Sequence, residues 1–226
     1  MIQLQEVNQW YKNFQVLQNV NFQIEKGEVC VIVGRNGAGK STLFQTILGF
    51  LPGYTGVVKI LNQDIKETGS WMKKTSFLPE KFILYPQLSV YENLAFFRDL
   101  LLDPVDNIEE VLELTGMEKH KDKKAKDLSK GMLQRLGLCV AFLGDPELII
   151  LDEPTSGIDP YGRVEIIDII DSLNQKGKTI IFSSHHLSEI ERVGTHVILI
   201  ENHTAIKMTA KHYLSDFSKQ SRMKMV

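Results

Sequence analysis

The stretch Val29-Cys30-Val31-Ile32-Val33-Gly34-Arg35-Asn36-Gly37-Ala38-Gly39-Lys40-Ser41-Thr42 decides the fold. A five-residue apolar run leads into a glycine-rich turn that ends in Lys-Ser, and the apolar-periodic stretch Leu43 to Leu48 follows. That order predicts a buried strand, a phosphate loop and a helix. Gly34, Gly37 and Gly39 let the backbone curl so that successive N–H groups point inward, where they join a helix N-terminus in attracting phosphate oxygens. Lys40 supplies a mobile positive charge and Ser41 a hydroxyl for Mg²⁺. The implied ligand is a nucleoside triphosphate with magnesium, held along Gly34, Arg35, Asn36, Gly37, Ala38, Gly39, Lys40, Ser41 and Thr42.

Outward from the loop, the first part of the chain reads as short strands: Ile2 to Val7, Val20 to Ile24, then the buried strand from Glu28 to Val33 after a Lys26-Gly27 turn. Leu51 to Gly56 ends the loop helix, and Val57 to Ile60 resumes extended structure. From Leu88 to Gly144 the pattern turns helical. Val90, Leu94, Phe97 and Leu101 recur at helix spacing, and Asp106 is suited to cap a helix that Gly116 stops. Ser129 stands as the N-cap of a helix presenting Leu133, Leu136, Val140 and Leu143. After Pro146 the alternation returns: strand Leu148 to Leu151, helix Pro160 to Lys176 before Gly177, strand Thr179 to Ser183, a short helix from Leu187, strand Val197 to Ile200, and a short tail. Strands alternating with helices imply a largely parallel sheet covered on both faces.

Composition sets bounds. The chain has 226 residues, 43% of them hydrophobic, enough for one sizeable core. Lys and Arg number 26 against 28 Asp and Glu, a net charge of −2, so no global positive field exists to hold nucleic acid. The two cysteines, Cys30 and Cys139, fall at apolar positions far apart, which reads as free thiols in a reducing interior. No segment approaches the ~20 apolar residues that span a bilayer, and the opening MIQLQEVNQWYKN has no basic flank followed by an apolar stretch.

Leu148 to Leu151 delivers Asp152 and Glu153 at a strand's C-terminal edge, where ligands sit in open α/β sheets. Adjacent residues on a strand point opposite ways, so the two acids take different roles. Asp152 is placed to hold Mg²⁺ through its hydration shell, and Glu153 to orient and deprotonate an attacking water.

Together these segments resemble the nucleotide-binding subunit of an ATP-binding cassette (ABC) transporter over nearly the whole chain. The most specific part is Leu128-Ser129-Lys130-Gly131-Met132, which resembles the family's signature segment and lies upstream of the Asp152-Glu153 strand, as that family arranges it. The resemblance implies one ABC ATPase domain over 1–226, its α/β P-loop core in 1–83 and 145–226, with an N-terminal antiparallel β portion and an inserted helical subdomain over 84–144. It implies that Ser129 and the amides near Gly131 meet a γ-phosphate, that Tyr11 stacks on adenine, and that Asp159 lies in a loop crossing a dimer interface. His185 matches the switch histidine that contacts the γ-phosphate, and Glu153 the catalytic base. Glu80 stands where many members carry Gln; it implies a carboxylate sensing Mg²⁺ beside Ser41 and Asp152, a feature of the branch resembling exporters with separate membrane subunits. Lys130, where the usual signature has Gly, either adds positive charge at the phosphate or points to solvent.

The mechanism so implied is ATP hydrolysis in a head-to-tail dimer, a homodimer or a pairing with a second cassette, docked on a separate transmembrane permease at the cytoplasmic face of the membrane. The apolar surface around Leu84, Tyr85, Phe96 and Phe97 would receive a short helix of that permease. A soluble ABC ATPase acting on ribosomes or DNA is the alternative, against which stand the chain's acidity and its lack of a second cassette or a long coiled coil. A kinase or GTPase is disfavoured because no Asn-Lys-x-Asp string reads guanine and nothing in that class explains residues 128–132.

Overall fold

The computed structural model describes residues 1–67 and 69–223. The chain opens with β1 (Ile2–Tyr11), β2 (Phe14–Ile24), β3 (Val29–Val33), α1 (Lys40–Ile47), β4 (Thr55–Ile60) and the two-residue β5 (Gln63–Asp64). Its middle runs through β6 (Thr75–Leu78), α2 (Val90–Asp99), α3 (Ile108–Thr115), α4 (Lys130–Phe142), β7 (Leu148–Leu151) and α5 (Pro160–Gln175). It closes with β8 (Thr179–Ser183), α6 (Leu187–Val193), β9 (His196–Glu201), β10 (Thr204–Thr209) and α7 (Ala210–Met223). These elements gather into two compact units, Met1–Gly69 with Thr179–Val226, and Ser70–Lys178. None of the described helices is long and apolar enough to cross a membrane.

In the first unit, β3 is flanked by two parallel partners: Val29 to Ile32 pair with Ile180 to Ser183 of β8, and Cys30 to Val33 with His196 to Leu199 of β9. A strand with a neighbour on each edge and cover on both faces meets no water, which is why β3 reads as an unbroken apolar run. Cys30 is fully buried there, and burial together with the charge of Glu28 pushes its thiol up. The hairpin of β9 and β10 closes this set on an antiparallel edge. Glu28, just before β3, binds Lys207 Nζ at 2.6 Å and His196 Nδ1 at 3.2 Å. Burial alone would raise the Glu28 carboxyl, but Lys207 and the Glu25 backbone bond outweigh it and hold the group below the usual carboxylate range.

The antiparallel portion orders its strands β2-β1-β4-β5. Its strands are longer than the sequence pattern indicates, and the reason is visible at their irregularities. Register shifts fall between Leu4 and Val7, and Glu6 and Asn19 adopt φ of 50° and 47°. Asparagine side chains take over ladder bonds at these bulges: Asn21 Oδ1 accepts from Glu6 N at 2.8 Å, and Asn8 Oδ1 from Asn19 N at 2.9 Å. The bulges break the alternation, so the stretches Ile2 to Val7 and Val20 to Ile24 are only parts of β1 and β2. The expected short tail after Ile200 is likewise corrected, since β10 and the 14-residue α7 follow.

In the second unit, β6 and β7 run parallel, Thr75 to Leu78 pairing with Leu148 to Leu151. Helices α2, α3 and α4 all fall within 84–144. Helix α2 starts on a capping box in which Ser89 Oγ accepts from Glu92 N and Glu92 Oε2 from Ser89 N. It ends at Asp99, so Leu101 continues the apolar spacing beyond the helix. Helix α3 has Asn107, not Asp106, at its cap; Asp106 pairs instead with Arg98. The Asn107 side chain reaches Phe142 O and Gly144 N, tying the start of α3 to the end of α4. Cys139 on α4 is fully buried against Thr115, and burial pushes its thiol up to about 12.

Candidate functional site

Between β3 and α1 the backbone turns through Gly37 at φ 79° and Gly39 at φ 105°, values that an L side chain rarely adopts. Ala38 N donates to Arg35 O at 3.0 Å, tightening the turn. Gly34 is pressed onto β9, where an added Cβ would stand 2.9 Å from Ile200 O. An added Cβ on Gly39 would strike Val16 Cγ1 at 2.9 Å, whereas one on Gly37 would project into open space. The cap position of α1 is Gly39, which has no side chain to cover the helix start, and the first turn carries no acid. A helix start left uncapped by side chains at the end of a curled glycine loop is a seat for an anion.

Lys40 is 8% exposed and curls back over this loop, its Nζ 3.2 Å from Gly34 O and 3.1 Å from His185 Nε2. His185 follows β8, the parallel neighbour of β3, so the sheet itself delivers the imidazole to the lysine. Arg35, Asn36 and Ser41 are exposed, while Ala38 and Thr42 are half-buried. A cavity of about 870 Å³ opens along Gly34 to Ala38, with His185, Phe14 and Val16 among its lining. Tyr11 ends β1 opposite Phe14 in the ladder, and the residue is 63% exposed. The first unit thus brings the loop residues and His185 together and leaves the Tyr11 ring on the surface.

The second unit carries the acids. Every residue of β7 is buried, and the ladder continues past its end through a bond from Asp152 N to Leu78 O at 2.8 Å. Asp152 is 5% exposed; Glu80, two residues beyond β6, is exposed. Both leave the C-terminal edge of the same parallel pair. Glu153 holds φ at 50°, a left-handed conformation that costs a non-glycine residue on the order of 1 kcal/mol and clusters at functional turns. The turn re-aims Glu153 away from the path of the strand that positions Asp152.

Ser129 caps α4, its Oγ accepting from Met132 N at 3.3 Å, and Asp159 caps α5, its Oδ1 accepting from Tyr161 N and Gly162 N at 3.0 and 3.1 Å. The bond from Gly162 N, with that from Tyr161 N, holds the Asp159 carboxyl below its ordinary range. These two helix starts lie side by side. A Cβ on Gly131 would touch Ile158 Cγ2 at 3.9 Å, and the Lys130 ammonium lies where a Cβ on Gly157 would stand. Lys130 therefore rests on the 156–159 loop. Among the described residues no group of three or more His, Cys, Asp or Glu is arranged as a metal cage.

Sequence reading missed Val16, which packs beneath Gly39, and the buried pair Ser184 and Glu189 behind His185. Nothing in the pattern marks Val16. Glu189, set between the apolar Leu187 and Ile190, was the one available signal of a buried charge.

A curled glycine loop between a buried parallel strand and a helix, with a lysine folded over it, defines a P-loop nucleoside triphosphatase. The model of the ABC transporter family matches residues 17–156. The linearmycin resistance ATP-binding protein LnrL of Bacillus subtilis is 32% identical over 93% of this chain and 70% of its own length. The lantibiotic transport ATP-binding protein SrtF of Streptococcus pyogenes is 36% identical over 85% of this chain and 83% of its own. The structure of CbiO1 from Clostridium perfringens, part of the ABC transporter complex CbiONQ, superimposes with a TM-score of 0.86 at 27% identity, covering 99% of this chain and 94% of that one. The chain belongs to the ABC transporter family and is one of its ATP-binding subunits, an ATPase that powers transport through separate membrane partners.

Proposed function

We propose that the two units act as a single ABC ATPase domain that hydrolyses Mg-ATP on the cytoplasmic face of a membrane to drive export. The observation that carries this reading is the glycine cradle at the start of α1, with Gly37 and Gly39 in left-handed turns and Lys40 folded over the loop. The amides of 34–42 and the Lys40 ammonium grip the triphosphate, and Tyr11 offers its exposed face to the base. Ser41 would hold magnesium by its hydroxyl, Asp152 would hold it through its hydration shell, and Glu80 would sense it. When bound, magnesium neutralises charge that develops on the transferred phosphoryl group. Glu153 orients and deprotonates the attacking water, and His185 donates to the γ-phosphate.

A second copy of the chain, or a related cassette, completes the site by presenting Ser129 and Gly131 at the start of its α4, with Asp159 alongside. The adjoining starts of α4 and α5 support that reading, because one surface then carries both. The membrane partner docks on the second unit. Tyr85, Phe96 and Phe97 form a ring cluster with centroids 4.6 to 6.2 Å apart, and Tyr85 and Phe96 remain 43% and 38% exposed. The relatives' names point both ways, to lantibiotic transport and linearmycin resistance on one side and to glutamate/aspartate import in Escherichia coli on the other, so export as the direction rests on Glu80, the residue shared with the branch that resembles exporters. Co-purification with a membrane subunit encoded beside it, followed by ATP-driven flux in vesicles, tests the reading. A chain that hydrolyses ATP but never associates with a membrane subunit contradicts it.

A further inference from the structure

Behind the exposed His185 lies a buried polar pair that the phosphate chemistry does not itself require. Ser184, 1% exposed, donates its hydroxyl to Glu189 Oε2 at 2.5 Å, and its Oγ accepts from His186 N at 3.0 Å. Ser184 N in turn donates to Ile32 O at 3.2 Å, the strand position that leads into the phosphate loop. Glu189 is 4% exposed on α6, its own N–H donates to His186 O at 3.1 Å, and its Oε1 has no hydrogen-bond partner among the described residues. The 184–186 turn is therefore clamped from both flanks: residue 184 is fixed to β3, and residue 186 is fixed to Ser184 and to α6. His185 is the residue between them, and its Nε2 stands 3.1 Å from Lys40 Nζ.

A buried carboxyl is a costly way to fill an interior position, and an apolar side chain like that of Ile190 beside it would fill the space at less cost. Its return is geometric. A charge-assisted bond to a serine that is itself holding a backbone N–H leaves the turn one conformation, which an apolar contact does not.

We infer that Glu189 is a positioning residue for ATP hydrolysis, acting through Ser184 to hold His185 at the γ-phosphate seat. This rests on the catalytic reading of His185. The pair carries no proton to substrate and touches none; it fixes where the imidazole stands. Loss of the clamp leaves ATP binding to the loop largely intact and lowers the turnover rate.

Steady-state ATPase rates of the purified chain test it with four variants: His185→Ala, Ser184→Ala, Glu189→Ala and Glu189→Gln. Ser184→Ala and Glu189→Ala are each expected to lower kcat about tenfold, the loss of one charge-assisted bond, with KM for ATP changed less than about twofold. Glu189→Gln keeps an acceptor toward Ser184 and recovers most of that loss. In the His185→Ala background the Ser184 and Glu189 changes add nothing, because the residue they place is gone. If His185→Ala is impaired while Ser184→Ala turns over at the wild-type rate, the clamp is refuted and the catalytic reading of His185 stands. Equal losses with and without His185 also refute it, since they mark a purely structural effect. Wild-type turnover in His185→Ala overturns both. Should Glu189→Ala fail to fold, Ser184→Ala, which removes a single oxygen, decides the matter alone.

Discussion

Replacing Lys40 by alanine separates what this side chain does for the fold from what it does for the ligand. Its ammonium is 3.2 Å from Gly34 O and 3.1 Å from His185 Nε2, and the residue is 8% exposed. Those bonds are set against the cost of taking an ammonium out of water, so their net worth to folding is small, within about 1 kcal/mol, or a melting shift of roughly 2–4 °C for a chain of this size. Toward a triphosphate the balance is one-sided. A hydrogen bond to a charged group contributes about 1.5–3 kcal/mol. At 1.4 kcal/mol per factor of ten, Lys40→Ala weakens ATP binding about 10- to 150-fold. Calorimetric titration with Mg-ATP of the Glu153→Gln chain, with and without Lys40→Ala, reads the affinity without hydrolysis, and a melting curve reads the fold. Affinity within about twofold of the parent, or a loss that merely tracks unfolding, refutes the assignment of the loop.

Two further outcomes test the geometry. Gly39→Ala forces a Cβ to within 2.9 Å of Val16 Cγ1 at φ 105°; the left-handed term alone costs about 1–2 kcal/mol. The melting temperature should fall about 2–8 °C, more than for Gly37→Ala, whose Cβ meets open space; the reverse ranking counts against the packing of the loop on β2. The lowered Glu28 carboxyl stabilises the fold above the ordinary carboxylate range, and this stability is lost as pH falls below about 4.3 toward the folded value. Lys207→Met removes the largest lowering partner, so its melting temperature should decline less steeply from pH 6 to pH 3 than that of the parent, and parallel curves contradict the pairing.

The parts of the fold that were legible in sequence are those where local chemistry and burial agree. The β3 run, the left-handed glycines, the Ser129 cap, Pro160 in the first turn of α5 and the strand Thr179–Ser183 all stand where pattern places them. What escaped lies where tertiary contacts override the pattern. Asparagine side chains substitute for ladder bonds in β1 and β2, so polar residues sit inside strands. Helix α7 is amphipathic but so rich in polar residues overall that it reads as a polar tail. Asn107 displaces Asp106 because its amide serves two partners on the far end of α4. At the site, the glycine turn and the Ser129 and Asp159 caps were readable because each is a backbone conformation written in glycine, serine or aspartate. The left-handed Glu153 and the Ser184–Glu189 clamp were not, since neither leaves a periodic trace.

The central claim is that a triphosphate held by the phosphate loop of one copy is completed by the Ser129 helix start of another. Sedimentation of the Glu153→Gln chain, which the role of Glu153 as base predicts to bind ATP without consuming it, tests this most directly. Mg-ATP should convert a monomer into a dimer, and Lys40→Ala should abolish the conversion at the same nucleotide concentration. A chain saturated with ATP that sediments as a monomer, alone and with a related cassette present, contradicts the claim.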